Sequence, residues 1–151
     1  MLFYFRFKRR IVHFPNRLGK LKKYLNNLGI MTELVAFLST GKGTWGHVNR
    51  LLQGMSGEKW EKIYLLTNDF GIQNFKAEEG VELIELTTKN LDELSNEIQT
   101  KLKEKITGME IAVNFVSGDG REHMALVSAL IKMGLGFRLV GLNKEDNVIE
   151  F

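Results

Sequence analysis

The sequence predicts an α/β fold in which helices cover both faces of a mainly parallel sheet of five to six strands, and three observations carry that expectation. From Met31 onward short apolar runs of β type alternate with helical patterns, as in βαβ units built around a parallel sheet. Two of the runs, LVAFL and IAVNFV, are almost continuously apolar, which suits central strands covered on both faces. The 151 residues, 44% hydrophobic and 26% charged, supply one ordinary core and are too few for two comfortable domains.

Taken in order, the predicted strands are Leu34 to Leu38, Ile63 to Leu66, Val81 to Leu86, Ile111 to Val116 and Phe137 to Leu142. VELIEL alternates, so it is expected at a sheet edge. A short helix is expected after Thr44, carrying Trp45, Val48, Leu51 and Leu52 inward. The clearest helix runs from Leu91 to Ile106, where Leu91, Leu94, Ile98, Leu102 and Ile106 form one stripe. Asn90 with Glu93 three residues on supplies its capping signal. The last helix spans Arg121 to Met133 with Gly134 as its C-terminal cap. It is apolar almost all round, from Met124 and Val127 to Ile131 and Met133. One side can cover the sheet, and the other is expected to meet a second copy of the chain, giving a homodimer, or the chain's own terminal segments. The whole pattern describes a three-layer, Rossmann-like domain over residues 31–151.

The net charge of +3 hides an asymmetry. Residues 1–30 hold eight Lys or Arg and no acidic residue, so residues 31–151 keep 13 basic against 18 acidic side chains, a net charge of −5. A basic arm can attract nucleic acid or an anionic membrane. Here MTELVAFLST reads as a protein start in its own right, so residues 1–30 are expected to be a basic N-terminal extension from an upstream start codon, dispensable for ligand binding. No long nucleic acid is expected as a partner. There is no cysteine, which excludes disulfides and thiolate metal sites. No apolar run reaches membrane-spanning length, and MLFYFRFKRR places apolar residues before basic ones, the reverse of a secretory signal. A cytoplasmic home without membrane contact is the expectation.

Two strands end in glycine-rich, hydroxyl-bearing loops that run directly into helices, LVAFL-STGKGTWGHV and IAVNFV-SGDGREHM. Glycine lets the backbone turn sharply and approach a ligand, and the following helix offers unpaired N–H groups. If the first and fourth strands are neighbours, both loops reach the crevice where ligands bind in doubly wound sheets. Neither loop is a GxxxxGK[ST] or GxGxxG phosphate motif. Ser39, Thr40, Gly41, Gly43 and Thr44 from the first loop, with Ser117, Gly118, Asp119 and Gly120 from the second, are the candidate ligand contacts. Lys42, Arg50 and Arg121 bring positive charge near them; Asp119 would oppose an anion unless it meets a sugar hydroxyl. His47 and His123 are candidate contacts or proton donors. Without an HExxH pattern or a cysteine pair, no metal site is expected, and without a GxSxG elbow the serines read as hydrogen-bond donors. Trp45 and Phe115 are expected in the core.

The order of these motifs resembles the CARF family, the CRISPR-associated Rossmann-fold sensor domains of antiviral defence. In that family the ligand loops follow the first and fourth strands, the second reading approximately Gly-Thr-Lys before a Met-containing helix. In NFVSGDGREHMALVSAL, Arg121 stands where the family often has lysine, and Met124 opens the helix and joins the ligand-contact set. The resemblance implies a homodimer that binds a cyclic oligoadenylate, or another nucleotide, across its two-fold axis, with no cofactor. Family members usually carry an effector domain after the sensor. A stand-alone sensor resembles either a ring nuclease, with Lys42 and Arg121 as the catalytic charges, or a subunit that buffers the messenger. Such cleavage needs no metal, because a ribose 2′-hydroxyl attacks the adjacent phosphate. STGKGTWGHV is also similar to the first loop of two-domain glycosyltransferases, which makes a sugar-nucleotide transferase subunit the competing expectation. A non-catalytic nucleotide-binding domain is the third.

Overall fold

The computed structural model of the chain describes residues 33–39, 43–54 and 60–151. The chain divides between Met31 and Thr32 into two units. The expectations placed on residues 1–30 lie outside the described residues. The described residues of the second unit form six strands, β1 (Leu34–Leu38), β2 (Ile63–Thr67), β3 (Val81–Glu85), β4 (Glu110–Asn114), β5 (Gly136–Leu142) and β6 (Val148–Glu150). Four helices join them: α1 (Trp45–Leu51), α2 (Asp69–Asn74), α3 (Leu91–Lys103) and α4 (Gly120–Lys132). The sheet order is β3-β2-β1-β4-β5-β6, parallel except for β6. This is a Rossmann-like α/β fold.

The strand register divides the apolar residues between two layers. Val35, Phe37, Tyr64, Leu66, Ile111 and Val113 pack with Leu94, Ile98 and Leu102 of α3 and with Ala125, Leu126, Ala129 and Leu130 of α4. Leu34, Ala36, Leu38, Leu65, Ala112 and Val140 pack on the other face with Trp45, Val48 and Leu51 of α1. All five residues of β1 are buried, which is why its sequence shows no alternation. Each large side chain so buried contributes roughly 1.5–3 kcal/mol. VELIE takes the edge position, where only Ile84 is fully buried.

Several elements differ from expectation for identifiable reasons. Strand β4 stops at Asn114, because the Asn114 Oδ1 accepts the Val116 N–H at 3.1 Å and its Nδ2 donates to the Val140 carbonyl at 2.7 Å. A side chain that satisfies backbone groups in this way turns the chain out of the ladder. Asn90 occupies the N-cap of α3 without a side-chain capping bond. Helix α3 ends at Lys103 rather than Ile106. The C-terminal cap of α4 is as expected: Gly134 has φ +71° and the Leu135 N–H reaches the Leu130 carbonyl.

At the amino end of the sheet, Glu33 is buried and its carboxylate accepts the Thr107 and Gly108 N–H groups. The Tyr64 hydroxyl donates to the Lys105 carbonyl at 2.9 Å. Burial first, and then the nearby Glu33 charge, push the Tyr64 phenol up to about 12. These contacts fasten the α3–β4 loop to β1 and β2, leaving the carboxyl end of the sheet for the site.

Candidate functional site

Strands β1 and β4 are parallel neighbours, with Leu34 opposite Ala112 and Ala36 opposite Asn114. From β1 the chain proceeds to β2 on one side, and from β4 to β5 on the other. Connections that diverge in this way leave a crevice above the strand ends, bordered by Ser39 after β1 and by Gly118 and Asp119 after β4.

Three hydroxyls join the loops. Ser117, 1% exposed, accepts the Ser39 N–H at 2.9 Å and the Thr44 hydroxyl at 2.8 Å, and donates to the Ser39 Oγ at 3.0 Å. Its hydrogen-bonding capacity is filled inside the protein. Ser39 and Thr44 are also 3.2 Å apart through their hydroxyl oxygens. Thr44 holds the N-cap of α1 but makes no side-chain capping bond, because its hydroxyl serves this latch instead. The Trp45 indole donates to the Ser39 carbonyl at 3.1 Å and packs against Phe70 and Phe75, so it belongs to the core as expected.

Beyond Ser117 the chain turns at Gly118, with φ +99°. A Cβ there would come 2.9 Å from the His123 Nε2 and 3.1 Å from the Phe37 Cβ, so both backbone conformation and space require glycine. Helix α4 then starts with a capping box. Asp119 accepts the Glu122 N–H at 2.8 Å, and Glu122 accepts the Asp119 N–H at 2.8 Å. Arg121 pairs with the other Asp119 oxygen at 3.2 Å. Asp119 is therefore committed to its helix and to Arg121, and this pairing offsets the charge that would repel an anion.

Above the loops lies a cleft of about 690 Å³, bordered on one side by Ser39, Gly118, Asp119 and Arg121. Its other side comes from the ends of β2 and β3 and includes Asp69, Glu85, Thr87, Thr88 and Lys89. Glu97 of α3 shapes that wall: its carboxylate accepts the Thr87 and Thr88 N–H groups and both hydroxyls, at 2.7–3.1 Å. Burial works against its ionisation. The Lys101 ammonium at 2.8 Å and the bonds from Thr88 and Thr87 prevail, and hold the carboxyl at about 2. Each side of the cleft carries two carboxylates and one cation, Asp69, Glu85 and Lys89 on the β2–β3 side and Asp119, Glu122 and Arg121 on the β1–β4 side.

The sequence-derived candidates separate in space. Ser39, Gly118, Asp119 and Arg121 line the cleft, while Thr44 and Ser117 form the latch. Gly43 and Gly120 are exposed near the two helix starts. His47 is not among the cleft-lining residues: its ring lies near Arg50 and Asp146 of the β5–β6 turn, and burial and then Arg50 lower its pKa. His123 packs between Phe37 and Phe115, with its Nε2 2.9 Å from the Ser117 carbonyl. Met124, 62% exposed, faces outward on α4. Thr40, Gly41 and Lys42 lie outside the described residues. The β2–β3 side of the cleft was missed by sequence reasoning. Its only signals were Asn68, whose side chain caps α2 by accepting the Phe70 and Gly71 N–H groups, and the threonine pair before α3. Among the described residues no group of His, Cys, Asp or Glu is placed to hold a metal ion, and no helix is long and apolar enough to cross a membrane.

Compared with known proteins, the chain matches no family model and no curated protein significantly.

Proposed function

We propose that this chain is a nucleotide sensor that binds a cyclic oligoadenylate in the cleft above β1 and β4, as the CARF resemblance implies. The observation that carries the reading is the hydroxyl latch, which joins Ser39 and Thr44 after β1 to Ser117 after β4, with Ser39 and Ser117 78 positions apart. Arg121 adds an exposed guanidinium on the cleft wall. A sugar-nucleotide transferase would want His47 at its ligand, and that ring is absent from the cleft lining.

The proposed reaction is metal-independent cleavage of the ring. A ribose 2′-hydroxyl loses its proton as its oxygen bonds to the adjacent phosphorus, the bond from phosphorus to the 5′-oxygen breaks, and the departing oxygen takes up one proton, leaving a 2′,3′-cyclic phosphate and a 5′-hydroxyl with no net change in protons. Lys42 and Arg121 meet the charge that builds on the phosphate. Arg121→Ala is expected to leave the unfolding midpoint nearly unchanged, since its ion pair with Asp119 is exposed and such pairs contribute about 0–1 kcal/mol. Lost contact with a phosphate should cost the transition state about 1.5–3 kcal/mol, a ten- to hundredfold fall in single-turnover cleavage. The assay follows cyclic tetraadenylate in excess chelator; metal-dependent cleavage, or wild-type rates in both Lys42→Ala and Arg121→Ala, would refute the mechanism.

The same reading makes the chain a homodimer through α4. Ala125, Leu126, Ala129 and Leu130 are buried against the sheet, whereas Met124 and Ile131 are 62% and 65% exposed on the opposite side, with Val127 between them. Ile131→Glu is expected to convert a dimeric mass to a monomeric one in light scattering at micromolar concentration, weakening association by about a hundredfold. A monomeric wild type would remove the dimer.

A further inference from the structure

His123 entered the site as a candidate ligand contact, yet its ring is wedged between Phe37 (centroids 5.8 Å apart) and Phe115 (4.8 Å), with Nε2 2.9 Å from the Ser117 carbonyl oxygen. A carbonyl only accepts, so Nε2 must carry the hydrogen and donate. In a trans peptide the C=O and the following N–H point in opposite directions, and the described residues contain no cis bond. Pulling the Ser117 oxygen toward His123 therefore turns the Gly118 N–H away from His123, and Gly118 itself lines the cleft. Neighbouring backbone donors are already used: Ser39 N–H by the Ser117 hydroxyl, Asp119 N–H by Glu122. The Gly118 N–H has no acceptor among the described residues.

We infer that His123 is a positioning residue, which fixes the Ser117–Gly118 peptide so that the Gly118 N–H is presented to the anionic part of the bound nucleotide. This deepens the proposed nucleotide reading and rests on it. The positive φ of Gly118 and the lack of room for a Cβ beside His123 belong to the same arrangement, since they let the peptide lie directly against the imidazole.

Two variants of the full chain separate positioning from packing. His123→Gln keeps an amide N–H able to reach the Ser117 carbonyl; His123→Phe keeps a ring between Phe37 and Phe115 but donates nothing. With cyclic tetraadenylate as the probe, the glutamine variant is expected to bind within about threefold of wild type and the phenylalanine variant about tenfold or more weakly, the loss of one hydrogen bond to a charged group. Both should keep near-wild-type unfolding midpoints, and if the phenylalanine variant does not fold, His123→Leu takes its place. The orientation itself is read without ligand, from the residual dipolar coupling of the Gly118 N–H vector. It should match wild type in the glutamine variant and depart from it in the phenylalanine variant. Wild-type affinity in His123→Phe, weak binding in His123→Gln, or an unmoved Gly118 vector would overturn the inference. A wild type that binds no cyclic tetraadenylate while the Gly118 vector shifts as expected would count against the nucleotide reading and leave the positioning role standing.

Discussion

Glu97→Ala is expected to destabilise the protein by about 2–4 kcal/mol, because four donors from Thr87 and Thr88 and the Lys101 ammonium lose a largely buried acceptor at once. For a domain of this size that corresponds to roughly 5–12 °C in the unfolding midpoint. Removing the carboxylate should also loosen the β2–β3 wall of the cleft. The pH dependence follows from the depressed carboxyl. Its folded value of about 2 lies below the ordinary 4.5, so its contribution is fully present above about 4.5 and is lost as pH falls toward 2. Urea unfolding of wild type and Glu97→Gln between pH 2 and 7 checks this. The wild-type advantage should shrink over that acidic range. A difference that stays constant with pH would show that the charge is not what holds the loop.

Ser117→Ala should produce the second large effect. The substitution leaves the Ser39 N–H without its acceptor and the Thr44 hydroxyl with only the Ser39 Oγ, 3.2 Å away, at a position where Ser117 is 1% exposed. Unsatisfied buried donors cost about 1–3 kcal/mol, so a loss near 2–3 kcal/mol is expected in denaturant unfolding. Ligand affinity should fall by about tenfold or more, since the two loops would no longer be held at one spacing. Ser39→Ala removes a less buried member and keeps the Ser39 N–H bond to Ser117, so its effect should be smaller on both counts. Equal stability of wild type and Ser117→Ala would mean that the loops are joined by other contacts.

The parts of the fold legible in the sequence are those where burial overrides every other demand. LVAFL and IAVNFV read as central strands because both faces of β1 and most of β4 are covered, and VELIEL read as an edge because β3 pairs only with β2 and leaves Glu82 and Glu85 exposed. The α3 stripe was equally plain. Two short elements escaped. Helix α2 has six residues, with Gly71 against the Thr67 side chain so closely that a Cβ would sit 1.9 Å from its hydroxyl oxygen. That glycine reads as a breaker, although it is the close approach to β2 that demands it. Strand β6 has three residues and exists through pairing with β5, a long-range condition that local pattern cannot express.

The site was legible only to the level of loops. Glycines after apolar strands marked where the chain must turn, and the adjacency of β1 and β4 brought those turns together. Which side chains face a ligand depends on rotations of a few tens of degrees that periodicity does not encode. His47 and His123 therefore looked like contacts, although one packs near the β5–β6 turn and the other behind the Ser117–Gly118 peptide. Ser117 looked like a ligand donor and is the bridge between the loops. Asp119 looked like an obstacle to anions and is the cap of α4.

The central claim is that the latched β1 and β4 loops form a cyclic oligoadenylate site. Isothermal titration of the full chain with cyclic tri-, tetra- and hexaadenylate, beside UDP-glucose and with Ser117→Ala in parallel, tests it most directly. The account predicts saturable binding of at least one cyclic oligoadenylate at one ring per two chains, weakened about tenfold or more in Ser117→Ala, with no heat from UDP-glucose. Binding of UDP-glucose alone, or cyclic oligoadenylate affinity that does not change when Ser117 is replaced, would contradict it.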